Sequence, residues 1–122
     1  MSVTTVKNNT RTFVAGEALD AYLLVDIESD GSVTKASETS TSTQIGYTIA
    51  PVASGEAATI SLVVGGGTSY AIADDAVAIG QVIYSAAGGK VSATGVGAQR
   101  IGLAVSAATA DGDVIEVIAY PN

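Results

Sequence analysis

Short runs of aliphatic and β-branched residues, separated by glycine-containing turns, make up most of this chain. In the run AATISLVV, Ala58, Ile60 and Leu62 fall on one side of an extended backbone, and mostly polar or small residues fall on the other. Such an alternation is typical of a β-strand with one buried face. Only the alanine-rich stretches 15–23 and 71–80 could hold a turn or two of helix, and both also suit a loop that leads into a strand. The pattern therefore predicts an all-β chain with little or no helix.

The same order of strands and turns occurs twice along the chain. Residues 15–37 align with residues 73–95 without a gap, at an offset of 58 (73 − 15). Residues 45–47 then align with 101–103 at an offset of 56 (101 − 45), and the closing strands AATISLV and VIEVIAY align at an offset of 57 (114 − 57). Because a repeat determines the architecture before any single strand is assigned, we expect two pseudo-repeated units.

Glycine dipeptides mark the hairpin turns of both copies. Each copy has two of them, Asp30-Gly31 and Ser54-Gly55 in the first and Gly88-Gly89 and Asp111-Gly112 in the second. Glycine readily adopts the positive φ that tight hairpin turns require. The predicted fold is therefore a small barrel or sandwich of twisted hairpins, built from units at about 15–64 and 73–120.

The repeat predicts a single β domain over residues 15–122, preceded by an N-terminal arm at residues 1–14. The arm contains four apolar residues that favour β-structure, which are Val3, Val6, Phe13 and Val14. An extended segment of this kind could add a strand to the sheet of a neighbouring protein, so these residues are candidates for binding a partner. The alternative is a frayed terminus.

The closing strands of the two copies differ in pattern. In the second copy Val114 and Ile118 flank Glu116 on the face opposite to Ile115 and Val117. A strand with apolar residues on both faces is expected where the strand is covered on both sides or lies at an interface. We therefore expect the second unit to lie nearer a subunit interface than the first.

The charge of the chain argues against polyanionic partners. Twelve acidic residues and five basic residues give a net charge of −7, and the basic residues are scattered singly. Such a chain is repelled by phosphate backbones, so we expect no nucleic-acid partner. No apolar run approaches the roughly 18 residues of a spanning helix, and the N-terminus lacks the apolar stretch of a secretory signal. We expect no membrane partner, and synthesis in the cytoplasm.

The residue types present also limit the chemistry. The chain has no His and no Cys, and so lacks the commonest general base, the commonest zinc ligands and the thiol nucleophile. Paired carboxylates could still act as in glycoside hydrolysis, but the pairs Asp74-Asp75 and Asp111-Asp113 fall at predicted turns, where Asp bonds its own backbone. The sequence predicts no catalytic residue and no cofactor.

One acidic segment resembles the opening of a calcium-binding loop. Asp26, Glu28 and Asp30 alternate and are followed by Gly31, as in a loop that wraps oxygen ligands around the ion. The closing acid of such a loop should lie at position twelve, which is Ser37 here. The three acids are therefore only a weak metal candidate, and the alternative is the solvated face of a hairpin.

The second copy carries a series of motifs that resembles a known family. Its sequence AIGQVIYSAAGGKVSATGVGAQRIGLAVSAATADGDVIEVIAY is similar to the C-terminal half of the capsid decoration, or cement, proteins of tailed bacteriophages. The matching positions are Gly80, Tyr84, Gly88-Gly89, the run from Ile101 to Val105, Gly112-Asp113 and Val117. The first copy is similar at residues 45–47 but departs at Pro51 and Val52, where the family has small residues.

The resemblance implies a structural protein of the virion. Proteins of this family bind the major capsid protein on the outer capsid surface and stabilise the shell, often as homotrimers. The alternative is a β-sandwich module of a phage fibre or bacterial surface protein that binds a receptor or glycan, although the chain has only six aromatic residues for stacking on sugars. A carboxylate hydrolase is the third hypothesis.

Overall fold

The structure is a computed structural model that describes residues 10–39, 43–63, 68–95 and 100–119. It contains two antiparallel five-stranded sheets. The first sheet has the order β1-β5-β4-β2-β3 and is formed by β1 (Thr10–Val14), β2 (Leu24–Ile27), β3 (Val33–Lys35), β4 (Gln44–Thr48) and β5 (Ala57–Leu62).

The second sheet repeats this arrangement. It has the order β6-β10-β9-β7-β8 and is formed by β6 (Thr68–Ile72), β7 (Val82–Ser85), β8 (Val91–Ser92), β9 (Arg100–Ala104) and β10 (Val114–Ala119). A short 3₁₀ turn at Ala87–Gly89 joins β7 to β8. The predicted all-β fold of two similar units with little helix is confirmed. Among the described residues, no helix is long and apolar enough to cross a membrane.

The strand registers correspond residue by residue at the offsets found in the sequence. Val14 lies opposite Ala57 in the first sheet, and Ile72 lies opposite Val114 in the second, which are offsets of 58 (72 − 14) and 57 (114 − 57). The register between β2 and β4 shifts after Val25, and that between β7 and β9 shifts at the equivalent place after Ile83. The two units therefore share their irregularities as well as their strand order.

Each sheet closes on itself into a small barrel. In the first unit Ala15 forms a parallel bridge with Val33 of β3, which joins the two edges of the sheet. The Gly16 N–H donates to the Val33 carbonyl at 2.8 Å. Ala73 and Val91 form the same bridge in the second unit. The bridge ties the two edge strands of each sheet together at one place, which limits the open edge that could otherwise aggregate. We refer to the units as the first and second barrels.

The limits of the first unit differ from the predicted ones. Residues Thr10–Val14 were assigned to an arm outside the domain, but they form β1 and pair with β5 along their whole length. Phe13 packs against the core of the first barrel. The sequence signal is weak here because the segment is an edge strand with a polar, exposed outer face, so Phe13 alone marks its buried side. Residues 65–72 were likewise placed outside the repeat, although β6 is the counterpart of β1.

The first barrel encloses a small aliphatic core. Its buried members are Ala15, Leu19, Val25, Val33, Ala58 and Ile60. The second barrel has the equivalent set, to which three residues of the first unit are added: Leu24, Ala36 and Tyr47. Leu24 and Tyr47 lie on the outer face of the first barrel, next to Ser61 of β5. This outer face, which we call the covering face, therefore packs on the second barrel.

Polar contacts show which part of the second barrel is covered. The Gly89 N–H donates to the Ala36 carbonyl at 2.8 Å, and the Ser85 hydroxyl donates to the Ser37 carbonyl at 2.6 Å. The hydroxyls of Ser61 and Ser69 lie 2.9 Å apart. Ser69 is near the start of β6 and Ser85 is at the end of β7, so the covering face closes the end of the second barrel where these strands begin and end.

Candidate functional site

The predicted metal candidate forms a hairpin instead of a gathered ligand set. The Asp30 carboxylate accepts hydrogen bonds from the Ser32 N–H at 2.9 Å and from the Ser32 hydroxyl at 2.7 Å, and these bonds lower the pKa of Asp30. Glu28 accepts from the Thr34 hydroxyl, and Asp26 is half-buried in β2. Within the described ranges, no cluster of three or more His, Cys, Asp or Glu residues is placed to hold a metal ion.

The acids at the second predicted turn also serve the backbone. The Asp113 carboxylate accepts from the Thr109 N–H at 2.8 Å, the Thr109 hydroxyl at 3.1 Å and the Ala110 N–H at 3.2 Å. Because these donors favour the ionised form, the pKa of Asp113 is lowered. Asp111 forms an ion pair with Lys90 at 2.7 Å, which raises the pKa of that lysine. Both acids therefore stabilise the turn between Thr109 and Val114.

A shallow cleft of about 310 Å³ brings other acids together. Its lining includes Glu38 of the first unit with Asp74 and Asp75 of the second, together with Ser85 and Ser92. The Ser85 hydroxyl donates to a backbone carbonyl, and the Ser92 hydroxyl donates to Asp75 at 3.3 Å. The Ser85 proton faces a carbonyl oxygen, which is not a base, and Ser92 donates to a carboxylate at a long distance, a weak base for activating a hydroxyl on its own. The described lining therefore does not show the activated nucleophile of a hydrolase.

The predicted partner-binding residues are separated by the structure. Phe13 is half-buried against the first core, and the Arg11 guanidinium carbon lies 4.9 Å from the centre of its ring. Val14 is 55% exposed on the outer face of β1. Because β1 already pairs with β5, this part of the predicted arm is not available as a strand for a neighbour. Val3 and Val6 lie outside the described residues.

Strand register brings several exposed apolar side chains together on the second barrel. On β10, Val114 and Ile118 are 48% and 41% exposed, and on β6 Tyr70 is 56% exposed. Val114 lies opposite Ile72, and Ile118 lies opposite Leu103, so the side chains form one continuous face across β6, β10 and β9. We call this surface the apolar outer face. None of its residues is among the candidate site residues predicted from the sequence, although the two-sided apolar pattern of the closing strand indicated an interface here.

One acidic residue lies within the apolar outer face. Glu116 lies between Val114 and Ile118 on β10, opposite Tyr70. Its carboxylate accepts from the Thr68 hydroxyl at 2.5 Å, and its N–H donates to the Ser106 hydroxyl at 2.9 Å. The side chain is half-buried, and so its charge is held in place within the sheet.

An aromatic pair bridges the two units. The rings of Tyr22 and Tyr70 lie 5.6 Å apart at an interplanar angle of 62°, an edge-to-face contact. Tyr22 has a φ of 66°, while Gly80 occupies the equivalent position in the second unit with a φ of 85°. A tyrosine pays a steric cost in this conformation, which the contact with Tyr70 helps to offset. The half-buried Tyr22 and the exposed Tyr70 could also stack on a ligand.

The fold recurs among solved structures, although a scan against protein-family models and a search of curated proteins both find no match. The chain is similar to the crystal structure of the head fiber gp8.5 N base in bacteriophage phi29. The TM-score is 0.70, and the match covers 91% of this chain and 92% of that one. The two share their fold. Their sequences are 17% identical, so the likeness concerns the arrangement of strands and carries over no residue role.

Proposed function

We propose that this chain is a structural protein of a phage virion that binds the outer surface of the capsid and stabilises it. The observation that carries this proposal is the fold shared with a phage head fiber base over about nine-tenths of both chains. The order of motifs in the second unit, which resembles capsid decoration proteins, supports the same role independently. The partner is the major capsid protein, and the protein acts as a homotrimer on the virion.

The surfaces of the chain suit a protein that works by binding. Two closed barrels form a rigid scaffold, and the apolar outer face offers exposed aliphatic and aromatic side chains of the kind that protein interfaces bury. The carboxylates of Asp30, Asp111 and Asp113 stabilise turns, which argues against their use in hydrolysis. Repetition of a modest contact over a symmetric shell gives strong total binding.

A glycan-binding module is the second candidate, and the Tyr22–Tyr70 pair is the observation that favours it. Sugar sites use exposed aromatic rings for stacking, and Tyr70 is 56% exposed. The pair is small, however, and the shallow cleft of about 310 Å³ is lined by acidic, hydroxyl and small residues and not by aromatic ones. The variant Tyr70→Ala separates the two functions, since it removes the ring that a glycan would need.

The proposal is tested by co-sedimentation with empty mature capsids that lack the protein. Purified chain should pellet with expanded capsids at a fixed ratio to the major capsid protein, and a glycan array should give no binding that depends on Tyr70. Clear glycan binding that Tyr70→Ala abolishes, with no pelleting on capsids, would replace the capsid role by the glycan role.

A further inference from the structure

Two surfaces meet where the barrels touch, and because the units are similar, each surface has a counterpart elsewhere in the molecule. In that contact the covering face of the first barrel closes one end of the second barrel. Since the units share their strand order and register, the second barrel has its own version of the covering face, and the first barrel has its own version of the closed end. Each of these two surfaces can be located by the same offsets.

The second version of the covering face is part of the apolar outer face. Leu24, Tyr47 and Ser61 correspond to Val82 (24 + 58), Leu103 (47 + 56) and Ile118 (61 + 57). These residues are in register across β7, β9 and β10, as their counterparts are across β2, β4 and β5. Leu24 and Tyr47 are 0% and 2% exposed, whereas Ile118 is 41% exposed and the other two are half-buried.

The second version of the closed end is the end of the first barrel where β1 begins and β2 ends. Phe13 lies nearer the other end of β1, but it packs against the same core and is only half-buried, while its counterpart Ala71 is 0% exposed. Ile27 is 37% exposed, while its counterpart Ser85 is 1% exposed. Ile45 and Leu62 of the same core are also only partly buried. We call this surface, with Arg11 at its rim, the open end of the first barrel.

We propose that the second barrel of one copy closes the open end of the first barrel of another copy, and so repeats between molecules the contact that the two barrels make within one. This inference rests on the self-association part of the proposed function and is independent of capsid binding. In this arrangement each copy uses the covering face of its second barrel to bind one neighbour and the open end of its first barrel to bind another. A closed ring of copies pairs all of these surfaces.

The residues that would meet in this contact are complementary. Within the chain, Ser61 and Ser69 touch at 2.9 Å, and their counterparts are Ile118 (61 + 57) and Arg11 (69 − 58). Glu116 precedes Ile118 by two residues on the same face, so the guanidinium of the second copy would come close to a fixed carboxylate. Ile27 supplies an apolar side chain where the second barrel has Ser85. In the contact between copies, an Arg11–Glu116 ion pair and the aliphatic side chains of Ile27 and Ile118 would thus take the place of the serine hydrogen bonds made within one chain.

Cysteine cross-linking tests the predicted pair directly, because the chain has no cysteine of its own. The double variant Arg11→Cys/Ile118→Cys should form disulfide-linked dimers and larger species under mild oxidation, and each single variant should stay unlinked. The variant Ser61→Cys/Ser69→Cys is the matched control for the internal contact and should close within one chain. The inference is overturned if the control closes but the double variant does not link, or if Ile118→Cys alone links as well as the double variant.

Light scattering gives a second readout that does not depend on disulfides. Ile118→Asp should weaken self-association at least tenfold, and Ile49→Asp, which changes an isoleucine of similar exposure (43% against 41%) outside the proposed contact, should change it less than twofold. Equal effects of the two variants, or a wild-type protein that is monomeric at micromolar concentration, would overturn the contact. Capsid co-sedimentation of the same samples shows separately whether the capsid role holds.

Discussion

At the scale of single residues, two glycines determine how closely the central strands approach. A Cβ on Gly46 would lie 2.2 Å from the Ser61 carbonyl oxygen, and a Cβ on Gly102 would lie 2.4 Å from the Ile118 carbonyl oxygen. Backbone atoms cannot move out of the way as flexible side-chain ends can. Each glycine is therefore needed because of a strand pairing and not because of a turn.

We expect Gly46→Ala to lower the free energy of unfolding by about 1–3 kcal/mol or more, since the methyl group forces β4 away from β5. Urea denaturation followed by circular dichroism measures the change. Ser54→Ala, in an exposed turn, is the control and should change stability by less than about 0.5 kcal/mol. A Gly46→Ala variant as stable as the wild type would show that the strands are less tightly packed than described.

The turn carboxylates predict how stability depends on pH. Hydrogen bonds from Thr109 and Ala110 lower the pKa of Asp113, and those from Ser32 lower the pKa of Asp30. A lowered pKa means that the ionised form stabilises the fold above the unfolded-state pKa of about 4 and that this contribution is lost as pH falls below it. The Tm should thus be nearly constant from neutral pH to about pH 5 and fall at lower pH.

Asp113→Asn tests the assignment of this effect. The variant should have a lower Tm than the wild type at pH 7, and the difference should shrink as the pH falls below about 4, where the wild-type carboxylate also becomes neutral. Thermal denaturation across this range measures the difference. A gap that stays constant down to pH 2.5 would exclude Asp113 as a source of the acid sensitivity.

Some backbone conformations could be predicted from the local sequence, and others could not. The turn glycines were predictable, because Gly31, Gly55, Gly89 and Gly112 all have positive φ in the structure. The conformation of Tyr22 was not predictable, since a φ of 66° is unfavourable for a tyrosine by local rules. Its ring contacts Tyr70 of the other unit, and its N–H donates to the Thr48 carbonyl at 3.0 Å. Contacts between distant parts of the chain leave no local signal of this kind.

At the scale of elements, the edge strands β1 and β6 are the parts that the repeat in the sequence did not include. Both pair with the closing strand of their unit, and both have one polar or exposed face and few large buried side chains. The strand β5 is easier to predict because its apolar residues alternate with polar or small ones, and β10 is easier because four of its six residues are Val or Ile. The fold class could therefore be predicted from the central strands and the turns. The boundaries of the units could be assigned only from the pairing of β1 with β5 and of β6 with β10.

Two truncations distinguish the edge strand from the residues before it. Deletion of residues 1–14 removes β1 and Phe13, and we expect it to lower the free energy of unfolding by at least about 3 kcal/mol, since it removes both a strand pairing and a half-buried aromatic side chain. Deletion of residues 1–9 keeps every described strand and should lower the free energy of unfolding clearly less than the longer deletion does. Denaturant unfolding measures both, and equal stabilities would contradict the place of β1 in the sheet.

At the scale of the whole molecule, the covering face joins the two barrels, because it places residues of the first unit in the core of the second. Tyr47 is 2% exposed at this contact, and its burial raises the pKa of the phenol. We expect Tyr47→Ala to lower the free energy of unfolding by about 3–5 kcal/mol because it leaves a cavity between the barrels. The counterpart Leu103→Ala, at low protein concentration, is the control and should cost clearly less, as Leu103 is only half-buried.

The whole-molecule arrangement is also where sequence reasoning was least complete. The apolar outer face was indicated by Val114 and Ile118, and an interface near the second unit was expected from them. The covering face was not predicted from the sequence. Leu24 and Val25 are adjacent and both buried, but Leu24 packs against the second barrel and Val25 lies inside the first. A two-residue apolar run does not tell which neighbour each side chain meets.

Electron cryo-microscopy of capsids with and without the added protein tests the capsid role most directly. We predict additional density on the outer capsid surface, large enough for copies of this 12.0 kDa chain and fitted by the two-barrel fold. Capsid maps that are identical with and without a saturating amount of folded protein would contradict the account.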